Sequence, residues 1–205
     1  MSENGLIHVI DDDDAVRESI DFLLGAADLS VRTYASATEY LNTGPGPGPA
    51  CVLTDVRMPE MSGLDLLKKL KADGSVTPVI VMTGHGDIPL AVEAMKFGAF
   101  DFIEKPFDDE RLISAVTAAL RIGTELENKS REQSEIRELI DTLTPRERDV
   151  MNGLVQGKPN KIIAYDLGIS PRTVEVYRAN VMHKLKAGSL SDVVKMALGL
   201  GPDAT

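Results

Sequence analysis

The amino-acid sequence predicts a two-domain chain: an α/β domain built on a doubly wound parallel sheet, followed by a small all-α domain. Strand-like and helix-like segments alternate five times within residues 1–124. Residues 142–205 contain only short helical patterns bounded by capping residues. Strands that alternate with helices favour a parallel sheet, whereas short helices joined by tight turns favour a separate helical domain. Residues 125–141 are then the linker between the two domains.

The predicted strands are short and mostly apolar, as expected for strands that helices cover on both faces. They are Leu6–Ile10, Val31–Tyr34, Cys51–Thr54, Val79–Thr83 and Phe100–Glu104. Helical patterns occupy 15–26, 36–42, 63–72, 88–97 and 108–122. Five consecutive βα units fit a flavodoxin-like (βα)5 sheet, for which 2-1-3-4-5 is one common strand order.

The charge of the chain is unevenly distributed. The whole chain carries a net charge of −10. Residues 1–124 hold 20 acidic and 10 basic residues, residues 125–141 hold 6 and 3, and residues 142–205 hold 6 and 9. Only the helical domain is therefore positive, which is the local condition for binding a polyanion such as nucleic acid.

Other compositional features favour a cytoplasmic protein without membrane contact. No apolar segment approaches the roughly 18 residues that a membrane-spanning helix needs, and no signal-peptide pattern opens the sequence. Cys51 is the only cysteine, so an internal disulfide is impossible, which suits a reducing compartment. We therefore expect the protein in the cytoplasm.

The linker has the composition of a helix. From Asp108 to Leu143 there is no proline, and Gly123 is the only glycine. Charged helix formers dominate 124–138, but they are polar on every side. One long helix, or two helices joined near Gly123, is the favoured interpretation, and a loose linker is the alternative.

Polar side chains follow or end four of the predicted strands. Asp11 and Asp12 follow the first strand, Asp55 follows the third, Thr83 ends the fourth and Lys105 follows the fifth. The carboxyl ends of parallel strands lie at one edge of the sheet, where α/β proteins bind ligands. Clustered carboxylates favour Mg²⁺, and a carboxylate can also act as a nucleophile that accepts a phosphoryl group. The sequence thus predicts a magnesium-dependent phosphoryl site.

These motifs resemble the receiver domain of two-component response regulators over about residues 5–124. The segments concerned are VIDDDD, LTDVRMPEMSG, VIVMTGHGD and DFIEKPF. The resemblance implies that a sensor histidine kinase phosphorylates Asp55. It also implies that Asp11, Asp12, Asp55 and the main-chain carbonyl of Arg57 bind Mg²⁺.

The same resemblance assigns roles to residues near the ends of the fourth and fifth strands. Lys105 would pair with the phosphoryl group, and the Lys105–Pro106 peptide would be cis. Thr83 would move towards the phosphoryl group and the ring of Phe102 would follow, although plain core packing is the alternative for Phe102. From its place in the sequence alone, His85 in the TGHGD loop could approach the phosphate, but a loop role is the favoured interpretation.

The last domain contains a predicted helix-turn-helix. Thr144-Pro145-Arg146-Glu147 is a capping-box sequence that opens one helix, a second helix ends near Leu167, and Ser170-Pro171 opens a third. At 100° per residue, one face of the third helix is apolar and the other mixes small, polar and basic side chains. Such a face suits the major groove of double-stranded DNA. The predicted contacts to bases or phosphates are Lys161, Arg172, Thr173, Glu175, Val176, Arg178, Ala179 and Lys184.

Residues 142–199 resemble the LuxR/FixJ-type DNA-binding domain, through the segment NKIIAYDLGISPRTVEVYRANVMHKL. The resemblance makes residues 170–186 the recognition helix, and the last helix, near 191–198, a possible dimer contact. The whole chain resembles FixJ-type response regulators, a family implicated in nitrogen-fixation control. This implies a transcriptional activator that binds promoter DNA, works with RNA polymerase and forms a homodimer when phosphorylated.

Two other functions are compatible with parts of the sequence. A Mg²⁺-dependent phosphohydrolase would also form an aspartyl phosphate, but it needs a second carboxylate beside the nucleophile, and Val56 and Arg57 follow Asp55 instead. A helical bundle that binds a protein, as an adaptor does, would show the same helix periodicity as a DNA-binding domain.

Overall fold

The computed structural model describes residues 5–84 and 88–199, which divide into two compact units at the boundary between Asn128 and Lys129. This boundary falls within the predicted linker. The N-terminal unit contains one parallel sheet. Its strands are β1 (Leu6–Ile10), β2 (Ser30–Tyr34), β3 (Ala50–Asp55), β4 (Val79–Thr83) and β5 (Asp101–Glu104).

The strand order is β2-β1-β3-β4-β5 and every pairing is parallel, so the predicted flavodoxin-like topology is confirmed. All residues of β3 and β4 are buried, because helices cover both faces of these central strands. Strand β2 lies at the edge and is mostly exposed. The carboxyl ends of β1, β3, β4 and β5 therefore share one edge of the sheet.

The helices of this unit are α1 (Asp14–Ala26), α2 (Ala37–Thr43), α3 (Gly63–Ala72), α4 (Ile88–Lys96) and the first part of α5 (Asp109–Asp141). One core cluster joins the sheet to α1 and α5, and a second joins it to α2, α3 and α4. Asp13 caps α1, since its Oδ1 accepts hydrogen bonds from the backbone N–H groups of Ala15 and Val16.

Helix α5 passes through Gly123 without a break, so the prediction of one long helix is correct and the loose linker is excluded. The glycine has a packing reason. A Cβ at this position would lie 2.6 Å from the main-chain oxygen of Ala50, too close for any side chain. Gly123 therefore lets α5 pack against the start of β3, and it does not mark a hinge.

The C-terminal unit contains the end of α5 and four further helices among its described residues. They are α6 (Pro145–Val155), α7 (Asn160–Leu167), α8 (Pro171–Lys184) and α9 (Leu190–Gly199). The predicted capping box of Thr144 and Glu147 is present, and Gly168 closes α7 in the left-handed conformation. In the described part of the chain, no helix combines the length and apolar character needed to cross a bilayer.

A buried aromatic cluster lies on the α2 side of the sheet. His8 Nδ1 is 2.9 Å from the hydroxyl of Tyr34, and the His8 and Tyr40 rings pack edge to face with centroids 5.2 Å apart. His8 Nε2 and the Tyr40 hydroxyl are buried without a hydrogen-bond partner. Burial lowers the pKa of His8 to about 4, with a smaller opposing effect from the carbonyl of Pro45.

This histidine predicts a loss of stability in mild acid. The unfolded chain binds a proton at His8 near pH 6.5, whereas the folded chain resists it down to about pH 4. Stability from neutral His8 is therefore present above pH 6.5 and lost as the pH falls towards 4, by about 2 kcal/mol between pH 7 and 5. Urea unfolding at both pH values checks this. His8→Phe should lack this part of the loss, and an equal loss in the variant would refute the assignment.

Candidate functional sites

Two buried carboxylates and one ammonium group meet at the carboxyl edge of the sheet. Asp11 follows β1 and is 2% exposed, and Asp55 is the last residue of β3 and is 8% exposed. Lys105, just after β5, donates to Asp11 Oδ2 over 2.6 Å and also to Asp55 Oδ1. Lys105 is 94 residues from Asp11 and 50 residues from Asp55 in the sequence, and the strand order brings the three side chains together.

Both carboxyl groups are held by further bonds to the main chain. Asp55 Oδ2 accepts a 2.6 Å hydrogen bond from the N–H of Arg57, and Asp11 Oδ1 accepts one of 3.0 Å from the N–H of Asp13. Each carboxylate therefore has one oxygen on the backbone and one on Lys105. This arrangement fixes the orientation of both carboxyl groups beside one ammonium group.

Lys105 is strongly stabilised as a cation. Burial lowers its pKa, but the hydrogen bonds and charges of Asp11 and Asp55 outweigh burial and raise the pKa above its ordinary value. The ammonium group is therefore charged at every physiological pH. Its side chain stays 24% exposed, so it can reach a group that arrives from solvent.

Asp12 differs from the other two predicted magnesium ligands. It is exposed and forms no hydrogen bond or ion pair with the residues that the structure describes. Among those same residues, no three Asp, Glu, His or Cys side chains lie close enough together to hold a metal ion. Two of the three predicted carboxylates thus converge in this structure, and the third, Asp12, is exposed and stands apart from them.

Thr83 ends β4 and is almost fully buried, one residue beyond the Met82 that pairs with Asp55. The backbone N–H of Lys105 donates a 2.7 Å hydrogen bond to the carbonyl of Thr83. The Lys105–Pro106 peptide is cis, as the sequence resemblance implied. His85, assigned to the following loop, lies outside the described residues.

Phe102 lies at the surface, 41% exposed, and is not a plain core residue. Its ring lines an apolar groove of about 400 Å³ on the α4–β5 face. The other lining residues are Ile88, Ala91, Val92, Met95 and Lys96. An exposed cluster of large apolar side chains of this kind is typical of an interaction surface.

Sequence reasoning missed Arg17, which supports the acidic loop. Its guanidinium donates a 2.6 Å hydrogen bond to the main-chain carbonyl of Asp11 and pairs with Asp14. The spacing of Asp14 and Arg17 by three residues on a helix was the available signal. No sequence signal indicated the contact between Arg17 and the carbonyl of Asp11, because that contact depends on the conformation of the loop.

In the C-terminal unit, α8 buries the stripe that its periodicity predicts. Val174, Val181 and Leu185 are completely buried, and Tyr177 is half-buried. The opposite face is open, with Val176 57% exposed and Arg172, Glu175 and Ala179 also exposed. Thr173 and Arg178 are half-buried, and Lys161 on α7 is exposed. These residues can therefore face a ligand, although their contacts with DNA stay a prediction.

Lys184 is in a different position. Its ammonium donates to Glu147 Oε2 over 2.6 Å and to the carbonyl of Thr142 over 3.1 Å. The same Glu147 oxygen accepts the Thr144 N–H and hydroxyl, over 2.8 and 2.9 Å. The hydrogen bond from Lys184 is the main cause of the lowered pKa of Glu147. The phosphate contact predicted for Lys184 would require both of its bonds to break.

Family models match the two parts of the chain separately. Residues 7–117 match the response regulator receiver domain, and residues 141–197 match the bacterial regulatory proteins of the luxR family. The fold and the two sites define the class: this chain belongs to the two-component response regulators that join a receiver domain to a LuxR-type DNA-binding domain. It is a transcriptional regulator, so the adaptor and phosphohydrolase interpretations are set aside.

Three similar proteins of the same class match along almost their whole length. The chain is 57% identical to the transcriptional regulatory protein FixJ of Azorhizobium caulinodans, covering 100% of this chain and 99% of the relative. It is 49% identical to a crystal structure of full-length FixJ from B. japonicum, covering 96% and 97% with a TM-score of 0.58. It is 37% identical to the structure of the response regulator StyR, covering 94% and 98% with a TM-score of 0.82.

Proposed function

We propose that Asp55 is the phosphoacceptor of this response regulator and that its phosphorylation controls DNA binding. The observation that carries the proposal is the pair of buried carboxylates, Asp11 and Asp55, that share the ammonium group of Lys105. A merely structural ion pair needs one carboxylate for one ammonium. The second carboxylate gives the site a surplus negative charge at the edge where α/β proteins bind ligands.

In the proposed transfer, a carboxylate oxygen of Asp55 attacks the phosphorus of a phosphohistidine on a sensor kinase. The new O–P bond forms as the P–N bond breaks, and the imidazole leaves. Lys105 exchanges its contact with Asp55 for one with a phosphoryl oxygen, and the hydroxyl of Thr83 donates to another. Positioning and charge neutralisation of this kind are the main contributions of a protein to phosphoryl transfer.

The donor set suits Mg²⁺, a hard cation that prefers carboxylate and carbonyl oxygens. Asp11 and Asp55 already converge on one cation, the Lys105 ammonium. We propose that both, with Asp12 and the main-chain carbonyl of Arg57, hold the ion. Bound there, Mg²⁺ would neutralise charge on the phosphoryl oxygens. The resulting phosphoryl chemistry at Asp55, including slow self-hydrolysis, would be the only reaction that the protein itself supports.

The response of the receiver domain is proposed to pass through Thr83 and Phe102. If Thr83 moves towards the phosphoryl group, space opens beneath the α4–β5 face and the Phe102 ring can turn inwards. The apolar groove that Phe102 lines would change shape, and two phosphorylated copies would pair there as a homodimer. Pairing brings two DNA-binding domains to adjacent half-sites, which raises affinity for promoter DNA.

In the proposed DNA complex, the exposed face of α8 enters the major groove. The contacts would come from Lys161, Arg172, Thr173, Glu175, Val176, Arg178 and Ala179. Lys184 is left out of this set because Glu147 and Thr142 hold its ammonium group.

The bound dimer would recruit RNA polymerase in the cytoplasm and activate transcription. Its relatives named FixJ support a place in nitrogen-fixation control. The boundaries 1–124, 125–141 and 142–205 of the domains belong to this proposal.

Replacing Asp55 by asparagine tests the proposal. The amide is nearly isosteric but cannot form an acyl phosphate, so Asp55→Asn should lose all phosphodonor-driven gain in promoter binding. DNA binding is measured with and without acetyl phosphate and Mg²⁺, and phosphorylation is followed by intact mass. Asp21→Asn, an exposed change on α1, is the matched control and should respond as the parent does. A response in Asp55→Asn equal to that of the control would remove Asp55 as the switch.

A further inference from the structure

Helix α4 is only lightly anchored to the rest of the N-terminal unit. Its fully buried residues are two alanines, Ala91 and Ala94, whose small side chains contribute little apolar area, and Leu90 adds one half-buried contact with the core. The larger apolar side chains of Ile88, Val92 and Met95 are 45 to 72% exposed. A helix held in this way can shift at small cost, so a few polar contacts have a large share in fixing its position.

One side chain, Lys68 on α3, contacts both Glu93 in the last turn of α4 and Phe97, the residue that follows the helix. Its ammonium nitrogen is 3.0 Å from Glu93 Oε1 and lies 4.4 Å from the centroid of the Phe97 ring. Glu93 and Phe97 are four residues apart, and the N–H of Phe97 still donates to the carbonyl of Glu93. One ammonium group therefore contacts two side chains that lie four residues apart at the end of α4.

The neighbouring Lys69 provides a contrast. It forms an ion pair of 3.0 Å with Asp73, four residues further along the chain at the end of α3. Asp73 is the C-cap residue of α3 itself, so the ion pair between Lys69 and Asp73 does not reach α4. The two lysines have equal charge and similar exposure, and they differ in whether they cross to the next helix.

We propose that Lys68 is a positioning residue that holds α4 in its resting position and so sets how readily the receiver domain switches. The proposal rests on the proposed function, in which the α4–β5 face changes on phosphorylation. Lys105 is bonded directly to Asp55 here, so the contact that phosphoryl transfer must replace is still present alongside this arrangement of α4, which the proposal takes as the resting one. Lys68 stabilises that arrangement selectively if a shift of α4 carries Glu93 and Phe97 away from α3, because both contacts are then lost.

Removing the Lys68 contacts should change the balance between resting and shifted α4 only modestly. Exposed ion pairs and exposed cation–π contacts are each weak. Loss of both should shift the balance between resting and shifted α4 roughly threefold to tenfold. Such a change is small beside the total stability of a domain, but it acts in full on the population of the shifted form.

The test compares Lys68→Met with Lys69→Met in the full chain. Two quantities are measured: the rate of Asp55 phosphorylation by acetyl phosphate with Mg²⁺, and the dimer fraction in sedimentation without a phosphodonor. Lys68→Met should raise both by roughly threefold to tenfold, because the shifted form is more populated. Lys69→Met, with the same loss of charge, should leave both near the parent values. Equal behaviour of the two variants, or a decrease in Lys68→Met, overturns the proposal.

Two further variants separate positioning from a general loss of fold. Phe97→Leu removes the ring contact and keeps the ion pair, so it should give part of the increase. Glu93→Gln weakens the ion pair, and combining it with Lys68→Met should add little, because both changes remove one interaction. Additive effects would count against a shared contact. Failure of the parent to accept a phosphoryl group at Asp55 would reject the proposed function, whereas the dimer measurement would still judge Lys68.

Discussion

Replacing Gly63 by alanine is expected to destabilise the N-terminal unit by roughly 3 kcal/mol or more, the upper end of overpacking effects. Gly63 is the first residue of α3, and a Cβ there would lie 2.1 Å from the main-chain oxygen of Asp55. The same atom would lie 2.9 Å from Thr54 Oγ1. Both obstacles belong to the central strand β3, so neither can move without disturbing the sheet.

The Gly63→Ala change should also impair the phosphorylation site at Asp55. The N–H of Gly63 donates to the carbonyl of Val56 over 3.2 Å, so α3 begins directly against the segment that carries Asp55. Relief of the clash must push α3 away from β3 or displace the main chain of Asp55. We therefore expect phosphorylation of Gly63→Ala by acetyl phosphate to fall even at temperatures where the unit remains folded.

Urea unfolding with hydrogen exchange, which assigns the loss to the N-terminal unit, measures the effect. The control is Gly25→Ala in helix α1, where nothing lies within 4 Å of the added methyl group. That change should stabilise the unit by up to about 1 kcal/mol, because alanine favours a helix over glycine. If Gly63→Ala matched this control, the close approach of α3 to β3 would be wrong.

The acidic site was predictable because topology decides it. Asp11, Asp55 and Lys105 are distant in sequence, but strand ends in a parallel sheet meet at one edge once the strand order is known. The alternation of strands and helices predicts that order as one common choice. Asp12 was harder, since whether an exposed carboxylate joins its neighbours depends on loop torsions and not on the strand pattern.

Side-chain partners across helices were the least predictable part. Lys184 lies on the half of α8 next to the exposed face, so helix periodicity alone made it a candidate for phosphate contact. Its ammonium reaches Glu147 because α6 crosses the end of α8, and that crossing depends on packing. Gly123 was ambiguous for a similar reason: a glycine within a helical pattern indicates either a break or a close approach, and only the position of Ala50 decides.

Replacing Lys184 by methionine is expected to cost the C-terminal unit about 2 kcal/mol, the size of a hydrogen bond to a charged group that loses its partner. Glu147 is 4% exposed and would keep its charge with only the Thr144 donors beside it. The side chain of Lys184 is 33% exposed, which limits the loss. Because the folded pKa of Glu147 is lowered, the contribution is present above its ordinary value of 4.5 and is lost as the pH falls below it.

The salt dependence of DNA binding then distinguishes a lysine that contacts a phosphate from a lysine that stabilises the fold. A lysine that neutralises a phosphate contributes about 0.9 to the slope of log K against log salt. Lys161→Met, at an exposed position on α7, should lower this slope by about that amount with little loss of stability. Lys184→Met should do the reverse, losing stability while the slope of the folded protein stays unchanged. A lowered slope in Lys184→Met would mean that its ammonium leaves Glu147 for the DNA, and the ion pair described here would then belong only to the free protein.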